Sequence, residues 1–387
     1  MSKKILKKSV LKFIILIFFL LPVTCHLSLP LSAVEEPPVV IRWARPLGMG
    51  GAFLAVTDDQ NSFFYNPAGI MFRKDFLLTL IEMPIQITDD IFKFYDFYNA
   101  NKTDLENFDT LSDTKKQELM DKIITNVSNY RVRFTLGLPN LSLIPKRGEK
   151  SNLGFGVFTL VDLHTKVNSG VLVPTYDLWG SADGAAFLAY ARKFKVRDYN
   201  LYAGANLKLI GRGKFDEKRK SFLAFEEPKA QAGYGFGLDI GLLTELPPQW
   251  RFGLMVRDSL NTKITYQELT GDGGTKPATT SEIPRAINIG AAYRPVNFVT
   301  LAVDINDITD GKLFKTEFFT KLHLGAEIGW RMLKFRAGFN QGYPSVGFGI
   351  YTPLLLDIEY AYYTDELGQY AGQIPETNHI LSLALRF

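Results

Sequence analysis

The sequence has 387 residues, a length that as a soluble protein would suit two or three domains of ordinary size. Hydrophobic residues make up 46% of it, aromatic residues 13% and charged residues 22%, with 32 glycines and a mean hydropathy of zero. These values argue against a disordered chain and against a protein built from membrane-spanning helices. They favour an aromatic-rich architecture of β-strands.

The N-terminus has the pattern of a secretory signal peptide. Residues 1–33 contain five lysines and no acidic residue, an apolar run extends over Val10–Val23 with one lysine inside it, and small residues near Ala33 suit cleavage. We expect this segment to be removed; an uncleaved anchor and a lipid-modified Cys25 are less favoured alternatives. Because Cys25 is the only cysteine, the mature protein is expected to be exported without a disulfide.

The net charge of +4 does not indicate a nucleic-acid partner. The five lysines of the signal account for more than all of it, and the remaining residues carry a net charge of about −1. Beyond the signal, residues 218–220 form the one short run of basic residues in the sequence. We therefore expect no binding to nucleic acid.

Alternation with a period of two residues is the main structural signal. Between Ala232 and Glu245 the even positions are apolar and the odd ones are mostly glycine or charged, and the same pattern recurs over residues 200–209 and 321–330. Beyond the signal no apolar stretch approaches the 18 residues of a transmembrane helix. A soluble β-sandwich also alternates, so the pattern alone leaves two architectures open.

The lengths of the connections favour one of them. Long connections follow the odd-numbered strands and short turns follow the even-numbered ones, with a short link at 342–345 as the one exception. An even number of strands with turns at one end and loops at the other is typical of an outer-membrane barrel. We therefore predict an all-β protein whose residues 76–387 form a 14-stranded antiparallel transmembrane β-barrel in the bacterial outer membrane. The predicted strands cover residues 76–87, 131–145, 153–165, 182–195, 199–212, 232–245, 250–258, 284–294, 298–306, 319–330, 333–341, 346–352, 355–364 and 379–387.

The segment between the signal and the first strand has a different composition. Glycines at positions 48, 50 and 51 permit close approach of backbones, and Asn66 before Pro67 favours a turn. We predict that residues 34–75 form a compact N-terminal hatch rather than a strand.

The run ARPLGMGGAFLAVTDD at 44–59 and the run FFYNPAGI at 63–70 resemble the opening of the FadL-type outer-membrane transporter superfamily, and more closely its PorV/PorQ-like branch. The resemblance extends over nearly the whole mature chain. It implies that the hatch lies in the barrel lumen, with Asn66, Pro67 and Ala68 as its turn. It also implies that the terminal Phe387 belongs to a signal for the barrel-assembly machinery. The resemblance does not identify a ligand for this chain.

Nine hatch residues are candidates for ligand binding or gating. The glycines either pack against the wall or act as a hinge, and the aromatic residues either line a route for an apolar ligand or fill space. The candidates are Gly48, Gly50, Gly51, Phe53, Phe63, Phe64, Tyr65, Asn66 and Pro67.

Two further expectations concern the wall and the first loop. An i, i+3, i+4 stripe of apolar residues predicts a helix near residues 104–127 that forms an extracellular lid. Charges of both signs occupy inward positions of the strands, and we expect them to pair across neighbouring strands. They include Arg133, Lys208, Asp239, Asp304, His323, Glu327, Arg336, Glu359 and Arg386.

Nothing in the sequence predicts an enzyme, a metal site or a cofactor, because the three mature histidines are isolated and no phosphate-binding motif follows the glycines. We therefore predict a barrel in contact with outer-membrane lipid that takes up hydrophobic small molecules such as fatty acids or hydrocarbons. The alternative is a PorV-like accessory that does not transport and serves as a docking platform for secreted proteins.

Overall fold

The computed structural model describes residues 34–35, 42–73, 75–127, 130–168, 175–221, 230–268, 279–310, 316–352 and 356–387. The chain divides into two compact units, Met1–Val34 and Glu35–Phe387, and the helices and the barrel belong to the second. Val34–Glu35 has strand geometry. The predicted signal peptide, 1–33, lies outside the described residues and stays a prediction.

Across the described residues, fourteen antiparallel strands follow one another in sequence order and close into a barrel, because the last strand pairs with the first. This confirms the predicted fold class. The strands are β1 (Leu77–Thr88), β2 (Arg131–Gly137 and Leu141–Ile144), β3 (Ser151–Asn168), β4 (Thr175–Val196), β5 (Tyr199–Ser221), β6 (Gln231–Leu246), β7 (Trp250–Arg257 and Thr262–Glu268), β8 (Thr279–Ile283 and Ala286–Val296), β9 (Val299–Ile305), β10 (Leu322–Trp330), β11 (Leu333–Asn340), β12 (Tyr343–Tyr351), β13 (Leu356–Glu366) and β14 (Pro375–Arg386).

Three strands are interrupted, and one interruption corrects a predicted boundary. Strand β7 was expected to end near residue 258, but it resumes at Thr262 and pairs there with both β6 and β8. Asp258 and Asn261 have positive φ angles of 49° and 53° and form a tight turn inside the strand. Because turn residues of this kind also begin loops, the sequence predicted the end of the strand here.

The two faces of the wall differ as the alternation predicts. On β5, Leu207 and Leu209 are 43% and 58% exposed, whereas Asn206 and Lys208 between them are 0% and 3% exposed. Large apolar side chains therefore point outward, and small, polar or charged ones point into the lumen.

The two ends of the barrel differ in their connections. Short turns such as 197–198, 297–298 and 331–332 lie at one end, which we call the short-turn end, and most long connections lie at the other, the long-loop end. Strands β3 to β6 have 16 to 23 residues, whereas β9 to β12 have 7 to 9. One side of the wall therefore rises higher at the long-loop end.

The connection between β1 and β2 contains two helices, α3 (Asp90–Glu106) and α4 (Asp113–Asn126). Helix α4 matches most of the helix expected near 104–127 and buries Leu119 of the predicted stripe. Helix α3 was not predicted, although Ile91, Phe94, Tyr95 and Tyr98 stand at i, i+3, i+4 and i+7. Among the described residues, no helix has both the length and the apolar character needed to cross a membrane.

Candidate functional site: a plug in the barrel lumen

Residues 42–72, which we call the plug, form helix α1 (Ala44–Gly48), helix α2 (Ser62–Tyr65) and a 3-10 helix (Pro67–Phe72). Most plug residues are buried. Since the plug contacts inward-facing residues on strands around the whole circumference, it lies inside the barrel. These wall residues include Glu82, Asn152, Asn206, Gly241, Gly253, Gly290, Asp304, His323, Gly338, Gly347 and Asp365.

The centre of the lumen is an aromatic cluster shared by plug and wall. The rings of Phe63 and Phe64 lie 5.6 and 4.8 Å from that of Phe158 on β3, and Phe64 lies 5.0 Å from Phe187 on β4. All four side chains are at most 3% exposed. The cluster is buried inside the barrel, and its contacts match tilted and edge-on aromatic packing.

Three candidate glycines lie in close contact with the wall. A Cβ atom on Gly48 would lie 3.1 Å from Cα of Gly347, and one on Gly50 would lie 2.4 Å from the carbonyl oxygen of Leu324. Gly50 and Gly51 also have φ angles of +62° and +80°, which side chains rarely adopt. Any larger residue would push the plug off strands β10 to β12.

The predicted Asn66–Pro67 turn is present and is bonded to the opposite wall. The side-chain oxygen of Asn66 accepts a hydrogen bond from the backbone amide of Ala68, while its nitrogen donates to the carbonyl oxygens of Leu242 and Leu254 at 3.1 and 3.3 Å. One side chain thus shapes the turn and fixes it to β6 and β7.

Ion pairs hold the plug from several sides, and sequence reasoning did not identify its own charged members. Arg42 donates two hydrogen bonds to Asp365 on β13 at 2.8 and 2.5 Å. Arg45 binds Asp58 and Asp59 within the plug and Glu327 on β10. Bidentate arginine pairs of this kind fix geometry as well as charge.

Two further polar contacts join plug and wall. One carboxylate oxygen of Asp304 on β9 accepts hydrogen bonds from the backbone amides of Phe53 and Leu54 at 2.6 and 2.8 Å. The amide nitrogen of Gln60 donates to both carboxylate oxygens of Glu82 on β1. Asp304 was predicted to face inward. Its hydrogen bonds with backbone amides of the plug could not be predicted, because no sequence pattern near Asp304 indicates them.

Most of the wall charges pair as expected, whereas Asp304 accepts hydrogen bonds from the plug backbone. Lys208 on β5 lies 2.7 Å from carboxylate oxygens of both Asp239 and Asp258, and all three are almost fully buried. Elsewhere Arg133 pairs with Asp162, Arg336 with Glu327, and Arg386 with Glu82. The mixed charges therefore belong to a paired structural network.

Two clefts flank the plug at the short-turn end. One, of about 530 Å³, is lined by charges of both signs that include Arg45, Asp58 and Arg386. The other, of about 750 Å³, adjoins the turn at residues 247–249 and shares Arg294 with the first. The plug therefore separates open space at this end from the aromatic cluster.

Comparisons with known proteins give one matching family and several solved structures of similar fold. The family described as F plasmid transfer operon, TraF, protein matches residues 63–306. No curated protein matches the sequence. The solved CymD monoaromatic hydrocarbon channel is similar in structure, with 15% identity, a TM-score of 0.52 and coverage of 89% of this chain and 96% of that one. The toluene transporter TodX of Pseudomonas putida gives 12% identity, a TM-score of 0.51 and coverage of 92% and 98%.

These solved neighbours are FadL-family channels, which confirms the FadL-type part of the sequence resemblance at the level of the fold. The PorV/PorQ branch stays a prediction. The nine candidate residues all lie in the plug, and their roles in binding or gating likewise stay predictions.

Proposed function

This chain belongs to the family described as F plasmid transfer operon, TraF, protein, and we propose that it is a bacterial outer-membrane barrel whose plug controls uptake of hydrophobic small molecules. The observation that carries the proposal is the aromatic cluster at the centre of the lumen. Water-filled porins have polar interiors. A passage opened beside this cluster by a shift of the plug would be lined by Phe158 and Phe187 of the wall, which suits an apolar ligand and not a hydrated one.

The outer surface supports a membrane location. Exposed aromatic side chains lie near both ends of the wall, such as Phe298 and Trp330 at the short-turn end and Phe134 and Phe339 at the other, with exposed leucines such as Leu207 between them. An apolar band bounded by aromatic residues is the usual surface of an outer-membrane barrel. The short-turn end would then face the periplasm and the long-loop end the outside.

The ladder between strands β1 and β2 is interrupted beside the plug, and a ligand could leave the lumen there. Strands β1 and β2 pair at Ile85–Ile87 and at Leu77–Thr79, but between these ladders Pro84 has no amide hydrogen to donate. Glu82 and Asn140 make the hydrogen bonds that bridge the gap, and Glu82 also accepts from Gln60 of the plug. A shift of the plug would therefore remove a contact at the weakest part of the wall.

The named neighbours support a choice of substrate class. CymD is described as a monoaromatic hydrocarbon channel and TodX as a toluene transporter. The proposal extends this class of ligand, small and hydrophobic, to the present chain. The descriptions of these two neighbours support a small hydrophobic ligand. The aromatic cluster supports the same ligand class independently.

A disulfide that fixes the plug tests the proposal, because the mature chain has no other cysteine. A Cβ atom on Gly290 would lie 3.2 Å from that of Leu54, close to the separation that a disulfide needs, and 2.2 Å from Oδ1 of Asp304, which must move aside. The reduced variant carries the same displaced carboxylate and is therefore the reference for the oxidised one. We expect cells with the L54C/G290C variant to accumulate radiolabelled toluene or fatty acid several-fold more slowly when oxidised than after reduction, with the unmodified protein insensitive to oxidation.

Accumulation by the reduced variant and the unmodified protein no faster than by cells lacking the protein would overturn uptake. Purification from native membranes followed by mass spectrometry is the second measurement. Co-purified fatty acids or hydrocarbons support the proposal, and stoichiometric secreted proteins without bound lipid contradict it.

A further inference from the structure

Helix α3 has an unusual concentration of exposed aromatic residues. It begins two residues after β1 ends, and five of its first nine residues are aromatic. Phe92, Phe94 and Tyr95 are 53%, 42% and 62% exposed, and the helix has no buried residue. An apolar cluster this exposed indicates a surface that contacts something other than water.

The contacts of Phe92 show which way this cluster faces. Its ring lies 5.9 Å from that of His379 in an edge-on arrangement. On β14 His379 alternates with Asn378 and Ile380, which are 0% and 1% exposed and face the lumen, so His379 points outward. Tyr95, three residues after Phe92, lies on the same side of the helix. The aromatic face is therefore continuous with the outer surface of the barrel.

The length of β1 places the helix at the edge of the apolar band. Twelve strand residues, tilted by about 40°, rise about 30 Å, whereas the apolar band of such a barrel is about 25 Å tall. The residues from Phe92 to Tyr98 lie within about 15 Å of the strand end, since a helix rises about 1.5 Å per residue. Aromatic rings are enriched at this level, where the lipid headgroups meet the acyl chains.

The one basic residue among these aromatics suits the same position. Lys93 donates a hydrogen bond to Asp90 at 2.7 Å, and this bond raises the pKa of Lys93. Its ammonium group is more than half exposed and lies 5.8 Å from the ring of Tyr130. A charged lysine among aromatic rings can extend its head towards water or lipid phosphate while its stem stays on the apolar surface.

We propose that the face of α3 formed by Phe92 and Tyr95 lies in the headgroup region of the surrounding bilayer and anchors the long-loop end to the lipid surface. The inference rests on the membrane location given under the proposed function. A lipid surface is the occupant because the face continues the outer wall and lies at the level of the band edge.

Spin labels on single cysteines test this, because the mature chain has none of its own. The Y95C, L381C and D121C variants are reconstituted in phosphatidylethanolamine and phosphatidylglycerol vesicles, and accessibility to oxygen and to a water-soluble nickel chelate is measured. We expect L381C, on the outer face of β14, to report the bilayer interior and D121C, on α4, to report water. Y95C should fall between them, within about 5 to 10 Å of the headgroup boundary.

The outcomes separate the two proposals. If L381C reports lipid but Y95C matches D121C, the anchor is wrong and the membrane barrel stands. If L381C also reports water, the membrane location fails, and the anchor with it. A Y95C label shielded from both reagents would indicate that a loop of this chain or a second copy covers the face, and would overturn lipid as the occupant.

Discussion

The carboxylate of Asp304 accepts a hydrogen bond from the backbone amide of Phe53 across 2.6 Å, although 251 positions separate the two residues in the chain. The same oxygen accepts the next amide of the plug, that of Leu54. Asp304 therefore acts on the conformation of the plug backbone and does not depend on which side chains the plug carries.

Replacing this carboxylate should loosen the plug without opening the barrel. The D304A variant leaves two buried amides without their acceptor, and each orphaned donor costs about 1–3 kcal/mol. We expect hydrogen exchange of the Phe53 and Leu54 amides to accelerate at least about tenfold, which corresponds to about 1.4 kcal/mol, while the wall strands keep their protection. The D216A variant removes a carboxylate that is 55% exposed and serves as the control. Unchanged exchange at Phe53 in D304A would mean that other contacts fix the plug.

A methyl group at Gly50 should prevent the plug from seating. The new Cβ would lie 2.4 Å from the carbonyl oxygen of Leu324, and the φ angle of +62° adds a cost of about 1–2 kcal/mol for a residue with a side chain. We expect the G50A variant to form a barrel that shows the usual heat-dependent gel mobility. Its plug should be cleaved by protease several-fold faster than that of the unmodified protein.

Variants at two other glycines in the described residues separate the steric cost of a Cβ atom from the cost of a positive φ angle. At Gly184 a Cβ would meet its nearest heavy atom at 4.0 Å, so G184A should behave as the unmodified protein. At Gly372 the φ angle is +93° and no atom lies within 4 Å, so G372A carries only the backbone cost. If G50A resists protease as well as G184A does, the plug does not depend on close packing at Gly50.

Period two and turn chemistry are local properties, and they sufficed to predict the fourteen strands and the inward position of Lys208 and Asp304. The Asn66–Pro67 turn was predictable for the same reason, since Asn66 caps it through its own neighbour, Ala68. These features need no knowledge of distant residues.

The contacts that hold the plug were not predictable. Arg42 and Asp365 lie 323 positions apart, and nothing near either one specifies the other. The turn from Asp258 to Asn261 was misread for a related reason: its polar residues resemble a loop, and the continuation of β7 depends on pairing with β6. Helix α3 was missed although its first turns carry apolar residues at helical spacing.

The buried cluster around Lys208 should govern stability of the wall. In the K208M variant two neighbouring carboxylates, Asp239 and Asp258, lose the cation that lies 2.7 Å from each. Removing one partner from a buried pair typically costs about 3–5 kcal/mol. We expect urea unfolding in detergent, followed by tryptophan fluorescence, to show a loss of that size.

The matched control neutralises the whole cluster. In the K208M/D239N/D258N variant none of these three positions carries a charge, so most of the lost stability should return. A K208M variant as stable as the unmodified protein would mean that water reaches these carboxylates and that the pairing adds little.

An arginine on the outer face should cost stability according to its depth. Leu381 lies midway along β14 and is 37% exposed, whereas Val196 is the last residue of β4 and is 46% exposed. In a bilayer, arginine at the midplane costs about 2–4 kcal/mol and near the interface about 0–1 kcal/mol. We expect urea unfolding from phosphatidylcholine vesicles to show the larger loss for L381R and almost none for V196R. Equal small losses in both variants would mean that water, and not lipid, surrounds this face, because only a bilayer distinguishes the two depths.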